Sequence, residues 1–261
     1  MRSSLLLIAS LCWPSPGYAQ EAGTRLAALY EQQVDRRLRV PEDERARYAA
    51  VLNDALSLAG LGSLPAQYIV VVDRSVWVQA AMIFWKSDQG RFHFIGASPA
   101  STGRPGQFEH FQTPTGVFDH TLENPDFRAE GTRNEFGILG YGRKGMRVYD
   151  FGWLTAPRGW GDRSPGVMRL QLHATDPDLL EPRLGSAQSK GCIRIPGSMN
   201  RFIDRYGLLD AHYERAIAAG EKFWVLSPLR EPTPWSGQYL VVIETARQAR
   251  PQWSEPSRSA R

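Results

Sequence analysis

The chain has 261 residues, 42% of them hydrophobic and 22% charged, so it can bury one ordinary globular core, and this composition excludes a disordered protein. The formal net charge is +4, which suits an anionic environment such as a membrane or cell wall. The arginines are spread along the chain without a sustained basic run, so nucleic acid is not expected as a partner.

Residues 1–19 have the layout of a secretory signal peptide. Arg2 precedes an apolar run from Leu5 to Trp13, and small residues surround a predicted cleavage after Ala19. The run is too short to span a bilayer, and no later segment is apolar enough to do so. We therefore expect a secreted protein without a stable membrane anchor.

A helical pattern occupies residues 20–64. Apolar residues from Leu26 to Leu38 recur at steps of three and four, Pro41 begins a second helix, and Gly60 ends it. We interpret this segment as an accessory helical hairpin packed on the main domain. Binding to a partner is the alternative.

Short strands dominate the chain from Gln67 onward. Runs of β-branched and aromatic residues predict strands at residues 68–72, 76–78, 81–85, 91–96, 167–173, 223–226 and 239–243. Two helices are expected late in the chain, one with Ser198 as its N-cap and Gly207 as its stop, the other over residues 210–219. The pattern as a whole predicts a β-rich α+β fold.

Residues 121–164 form a polar, glycine-rich segment in which aromatic residues alternate with arginines. We predict a long loop-like insertion ahead of the strand that ends at His173, a good place for a lid or a substrate groove. Tyr141 in this segment is a candidate substrate contact. Alternatively, its aromatic side chains only fill gaps under irregular loops.

Candidate chemistry is concentrated at His173 and the string Ser-Lys-Gly-Cys-Ile-Arg at residues 189–194. Cys12 falls within the predicted signal peptide, so Cys192 is the only thiol expected in the mature chain. Acyl transfer needs a thiol, a base within hydrogen-bond reach and backbone donors for the oxyanion. This stretch could supply all three, although an inert buried cysteine and a core histidine remain the structural alternatives.

The neighbours of Cys192 have candidate roles as well. The backbone N–H groups of Gly191 and Cys192 are candidate oxyanion donors, because glycine permits close approach of a substrate. Arg194 suits a substrate carboxylate or a plain salt bridge, and together with Lys190 it favours the thiolate. Ser189 either binds substrate or forms a local turn.

These motifs resemble the signature of the YkuD-type L,D-transpeptidases, enzymes that cross-link bacterial peptidoglycan. Residues 101–106 and 113–118 are similar to the family's Ser-Thr-Gly-x-Pro and Thr-Pro-x-Gly-x-Phe segments. The resemblance covers roughly residues 67–228 and implies a catalytic β-sandwich or barrel with short flanking helices. Residues 229–261 then form a C-terminal extension with one strand and a disordered tail.

The resemblance implies a reaction in the periplasm or cell wall. Cys192 attacks the carbonyl beside D-alanine in a tetrapeptide stem, D-alanine leaves, and an acceptor amine deprotonated by His173 resolves the thioester. The implied partners are peptidoglycan stem peptides and, as a covalent inhibitor, a carbapenem; no metal or cofactor is required. The oligomeric state stays open.

Two positions qualify this resemblance. Lys190 stands where most of the family has histidine, which affects the expected orientation of the loop. Ala174 has no side chain able to orient His173, so a backbone carbonyl would have to fix the tautomer of the imidazole.

Other functions fit the same residues. Water in place of the acceptor amine would give an L,D-carboxypeptidase, or a hydrolase that releases a peptidoglycan-linked protein. A catalytically silent wall-binding module is the alternative from another class. A redox sensor built on Cys192 would lack a resolving cysteine.

Overall fold

Two mixed sheets organise residues 16–254, the part of the chain that the computed structural model describes. The helices are α1 (Pro16–Gln33), α2 (Glu42–Leu58), α3 (Gly197–Tyr206) and α4 (Ala211–Ala218). The strands are β1 (Gln67–Asp73), β2 (Ala80–Lys86), β3 (Phe92–Pro99), β4 (Gly116–Asp119), β5 (Phe127–Arg128), β6 (Arg147–Pro157), β7 (Pro165–Ala174), β8 (Ile193–Ile195) and β9 (Tyr239–Ile243). This is the predicted α+β class.

The first sheet has the order β3-β2-β1-β9-β4 and is covered on both faces. In β1, Val70 and Val72 face a core shared with Leu170 and Leu172 of the second sheet, whose order is β5-β6-β7-β8. The alternate residue Val71 faces a second core under α2. Burial on both faces explains why β1 is a continuous apolar run instead of an alternating one.

Helices α1 and α2 lie on opposite faces of this first sheet and do not form the predicted hairpin. Tyr30 of α1 belongs to the core between the sheets, and its hydroxyl lies 2.7 Å from Ser98 Oγ. Tyr48 of α2 belongs to the other core and donates to Asp73 Oδ2 at 2.6 Å. The segment predicted as accessory therefore supplies part of both cores.

The C-terminal strand β9 is an interior strand of the first sheet. β9 pairs in parallel with β1 and antiparallel with β4, so it completes the sheet instead of extending it. Beyond it, Trp253 packs edge to face against Tyr48, with ring centroids 5.8 Å apart. The chain is thus folded as far as Ser254. The last part of the predicted disordered tail, like most of the predicted signal peptide, lies outside the described residues.

Five strand predictions are confirmed, at β1, β2, β3, β7 and β9, and two are wrong. Residues 76–78 form a turn, because Asp73 Oδ1 accepts the amide of Ser75 and Gln79 adopts a φ of 52°. Residues 223–226 form no strand either. Arg128 Nε donates to the carbonyl of Val225 at 2.7 Å, occupying a group that a strand neighbour would need.

The predicted N-cap of α3 is also wrong. The helix begins at Gly197 after Pro196, without a side-chain cap. The Ser198 hydroxyl bonds instead to Asp35, which ties α3 to the segment after α1. The predicted stop is confirmed, since Gly207 is the C-cap with a φ of 58°.

The segment predicted as a loop insertion contains the long strand β6, which pairs with β7 in the second sheet. A bulge between Asp150 and Trp153 interrupts the register, and Gly152 adopts a φ of 81° there. This bulge breaks the alternation that identifies a strand in a sequence. The remainder of the segment, up to Met146, contains only the two-residue strand β5.

A buried ionic cluster lies at the start of β6. Arg147 is fully buried and forms ion pairs of 2.7 Å with both Asp126 and Asp210. His120 is also fully buried, with Nε2 2.7 Å from Asp126 Oδ1 and Nδ1 2.7 Å from the carbonyl oxygen of Leu209.

Among residues 16–254, no helix is long and apolar enough to cross a bilayer.

Candidate active site

Parallel pairing of β7 and β8 brings together the two candidate residues that are far apart in the sequence. Leu172 pairs with Ile193 and His173 with Arg194, so Cys192, which directly precedes β8, lies beside Gln171. Along β7, Met168, Leu170 and Leu172 enter the core. The alternate side chains of Arg169, Gln171 and His173 therefore share the other face of the sheet.

The thiol of Cys192 is partly exposed and faces β7. Its Sγ lies 3.6 Å from the carbonyl oxygen of Arg169 and 3.9 Å from Gln171 Oε1. Burial raises the pKa of this thiol, and the Asp150 carboxylate adds to the rise, whereas the backbone of Gln171 and the Arg194 guanidinium oppose it. The resting sulfur is therefore mainly a neutral thiol.

The imidazole of His173 is oriented by its own backbone. Nδ1 lies 2.6 Å from the carbonyl oxygen of Ala174, so Nδ1 carries the proton and Nε2 remains a free base. This confirms the expectation that a backbone carbonyl fixes the tautomer. Burial lowers the pKa of His173 to about 4, and Arg194 contributes to the lowering, so the ring is neutral at pH 7.

Ser189 holds the loop before Cys192 in place. Its hydroxyl donates to the carbonyl oxygen of Cys192 at 2.5 Å and accepts the amide of Gly191 at 3.1 Å. The side chain is buried and serves the turn, which is the structural alternative for this residue. Because the Gly191 amide already has an acceptor, the Cys192 amide is the better candidate oxyanion donor of the predicted pair.

The upstream motif segments pack against this loop. Thr113 Oγ1 donates to the carbonyl oxygen of Gly191 at 2.7 Å and accepts the amide of Gly103 at 2.8 Å. Gly191 itself has a φ of 134°, and a Cβ there would lie 2.8 Å from Met168 Cε. The backbone conformation therefore favours glycine, whereas the close contact is with the flexible end of the Met168 side chain.

The two basic residues near the thiol differ in position. Lys190 points outward to Glu109, with Nζ 3.0 Å from Oε2 and both side chains mostly exposed, so it does not bias the thiol as expected. In the parallel register of β7 and β8, Arg194 is the strand neighbour of His173. The Nε of Arg194 is buried without a hydrogen-bond partner. Arg194 forms no ion pair within the described part of the chain, so it remains available to a carboxylate.

Tyr141 reaches the site from the loop before β6. Its ring packs edge to face on His173, with centroids 4.8 Å apart, and its hydroxyl donates to Gln171 Oε1 at 3.1 Å. It also lines a cavity of about 420 Å³ together with Phe127 and the exposed Trp224. Trp153 lies at the other end of this face, 5.7 Å from the guanidinium of Arg169.

Sequence reasoning missed Gln171 and Asp150. The alternation of β7 places Gln171 on the face of His173, and this signal was present in the sequence. Asp150 is fully buried; it accepts Gln171 Nε2 at 2.8 Å and forms an ion pair of 2.7 Å with Arg169. Nothing in the sequence singled out Asp150, because the bulge of β6 hides its register.

Residues 16–254 contain no cluster of three or more histidine, cysteine, aspartate or glutamate side chains arranged to hold a metal ion. The candidate site thus has a neutral thiol and a neutral, oriented imidazole on the same face of neighbouring strands. Among the described residues, Cys192 Sγ contacts Arg169 and Gln171, and no hydrogen bond joins it to His173. No protein-family model matches the sequence, and no curated protein matches it.

Proposed function

We propose that the protein is a peptidoglycan L,D-transpeptidase that forms an acyl-thioester on Cys192. The observation that carries the proposal is the oriented imidazole: His173 Nδ1 is held by the carbonyl of Ala174, which leaves Nε2 as the base on the strand next to Cys192. The packed sheets are compatible with the β-sandwich or barrel domain that this activity implies. The expected location is the periplasm or cell wall.

The reaction balances with these two residues alone. His173 accepts the thiol proton, and the sulfur attacks the carbonyl carbon of the bond to D-alanine in a tetrapeptide stem. The C–N bond breaks, and D-alanine leaves with the proton from His173. An acceptor amine then gives a proton to His173 and attacks the thioester; the C–S bond breaks, and the sulfur regains its proton.

Three further groups have roles in this reaction. The Cys192 amide donates to the oxyanion that forms at the attacked carbonyl. Arg194, with its unpaired buried Nε, binds a stem carboxylate beside the thiol. Tyr141 contributes an aromatic wall on the side of His173.

The test is mass spectrometry of purified stem tetrapeptides incubated with the wild type and with Cys192→Ala. We expect cysteine-dependent dimers, loss of D-alanine and an acyl-enzyme in the intact-protein mass. Tripeptide alone would identify an L,D-carboxypeptidase. Absence of both products and acyl-enzyme with several muropeptide donors would favour a wall-binding module.

A carbapenem provides an independent probe of the same nucleophile. We expect one equivalent to add to the wild-type protein and none to Cys192→Ala, because the thiol opens the β-lactam ring to a stable thioester. Intact-protein mass spectrometry measures the adduct. An equal mass shift in both proteins, or none in the wild type, would contradict the assignment of Cys192 as nucleophile.

A further inference from the structure

The carboxamide of Gln171 lies between a buried carboxylate and the candidate nucleophile. Its Nε2 donates to Asp150 Oδ2 at 2.8 Å, and its Oε1 lies 3.9 Å from Cys192 Sγ. Tyr141 donates its hydroxyl proton to the same Oε1 at 3.1 Å. The three contacts use both ends of the amide.

Asp150 determines which end of the amide faces the thiol. The ionised carboxylate can only accept hydrogen bonds, and besides Gln171 it receives the amide of Gly152 at 2.8 Å and the charge of Arg169. The Gln171 nitrogen must therefore point toward Asp150. As a consequence, the carbonyl oxygen points toward the sulfur.

Cys192 thus meets two side-by-side acceptors, Gln171 Oε1 and the carbonyl oxygen of Arg169. A protonated sulfur can donate to either oxygen, whereas a thiolate would face their lone pairs. The other charged or titratable groups around the thiol are Arg194 on β8, Asp150 on β6, Arg169 and His173 on β7, and Tyr141 in the preceding loop. Of these groups, Tyr141 contacts the oxygen of the Gln171 amide and Asp150 accepts a hydrogen bond from its nitrogen.

We propose that Asp150 is a positioning residue that acts through Gln171: it turns the Gln171 carbonyl oxygen toward Cys192 and keeps the sulfur a hydrogen-bond donor in the free protein. The thiol then loses its proton only when His173 takes it during attack on a substrate. The inference rests on the proposed role of Cys192 as nucleophile. Its test uses the pH dependence of the thiol and requires no peptidoglycan substrate.

The first test is Gln171→Met, which removes the carbonyl oxygen but leaves the charge of Asp150 in place. We expect the pH midpoint for alkylation of Cys192 by iodoacetamide to fall. A midpoint about one pH unit lower speeds alkylation at pH 7 about threefold, because a roughly tenfold gain in thiolate is partly offset by weaker nucleophilicity. Cys192→Ala gives the background, including any signal from Cys12. An unchanged or higher midpoint would overturn the proposal.

The second test separates positioning from simple charge. Asp150→Ala removes a negative charge near the thiol and also frees the Gln171 amide to rotate its NH₂ group toward the sulfur. Both changes favour the thiolate, so the pH midpoint for alkylation should fall further than it would from loss of the charge alone. When Asp150→Ala is made in the Gln171→Met variant, only the effect of the lost charge remains. We expect Asp150→Ala to lower the alkylation midpoint there by less than half as much as in the wild type. Equal changes in both backgrounds would refute the proposal that Asp150 acts through Gln171. If Asp150→Ala does not fold, Gln171→Met decides alone.

Failure of these tests is distinguishable from failure of the proposed function. Alkylation reports the thiol directly, whereas stem-peptide products and the carbapenem adduct report acyl transfer. If the wild type transfers acyl groups but the alkylation midpoint does not change in the variants, only the positioning role of Asp150 is refuted. If the midpoint changes as expected but the wild type shows no acyl transfer, only the transpeptidase activity is refuted.

Discussion

At the scale of single residues, the neutral imidazole of His173 determines how activity should depend on pH. Burial lowers its pKa to about 4, so the free base is already present throughout the neutral range. Acylation of Cys192 by a carbapenem should therefore lose its His173-dependent component only as the pH falls through about 4, not near the ordinary value of histidine. The pH profile of the acylation rate measures this limb.

The matched variant is His173→Ala, in which we expect a decrease in the acylation rate of about 10²–10⁴-fold. His212→Ala is the control, because it removes a partly exposed imidazole on α4, outside the candidate site. A wild-type acid limb near pH 6.5 would contradict the buried neutral state of His173.

At the scale of elements, α1 should be essential for folding because its Tyr30 ring fills the space above a glycine of β3. A Cβ on Gly96 would clash with the Tyr30 ring, and the Tyr30 hydroxyl bonds to Ser98. Tyr30→Ala should lower the free energy of unfolding by about 3–5 kcal/mol, as other buried aromatic truncations do. Urea denaturation measures this change.

Leu58→Ala at the end of α2 is the control for this prediction, since Leu58 is 91% exposed. It should change the unfolding free energy by less than about 0.5 kcal/mol. A similarly small effect of Tyr30→Ala would contradict the prediction that α1 is essential for folding.

The same elements show what the sequence can predict. β1 and β7 were predictable because an apolar run and a period-two alternation each reflect burial in a sheet. β6 was not, since the bulge after Asp150 and the positive φ of Gly152 disrupt its alternation. The position of β9 between β1 and β4 depends on long-range pairing, which no local sequence pattern predicts.

The residues of the candidate site likewise differ in whether a local sequence pattern or only tertiary packing identifies them. Local spacing was sufficient to identify His173 and Cys192 as candidates that parallel strands then bring together. The orientation of Lys190 toward Glu109 and the burial of Asp150 depend on tertiary packing. Their contributions therefore could not be predicted from the motif.

At the scale of the whole molecule, the buried cluster around Arg147 joins the start of β6 to the segments before β5 and α4. Removal of the guanidinium leaves Asp126 and Asp210, both fully or almost fully buried, without their main positive partner. Arg147→Met should therefore lower the unfolding free energy by about 3–5 kcal/mol. The control is Arg205→Met, which removes an exposed guanidinium that pairs with Glu231 and stacks on Tyr206; it should change the unfolding free energy far less than Arg147→Met does.

His120 should make the stability of this cluster sensitive to alkaline pH. Burial favours the neutral ring, but the charge and hydrogen bond of Asp126 outweigh burial and raise the pKa of His120; Arg147, on the same carboxylate, opposes the rise. Both ring nitrogens face acceptor oxygens, so the folded protein holds the doubly protonated form.

The sign of the effect follows from linkage. Because the folded protein binds this proton more tightly than the unfolded chain, the stabilisation is complete below the ordinary histidine pKa near 6.5 and is lost as the pH rises through the raised folded pKa. The free energy of unfolding, measured in urea from pH 6 to pH 9, should therefore decline in the wild type and decline less in His120→Gln. His212→Gln is the control, because His212 is partly exposed and its pKa is lowered mainly by burial. Parallel pH curves for the wild type and His120→Gln would mean that the buried ring is neutral, and one of its two hydrogen bonds would then have to be absent.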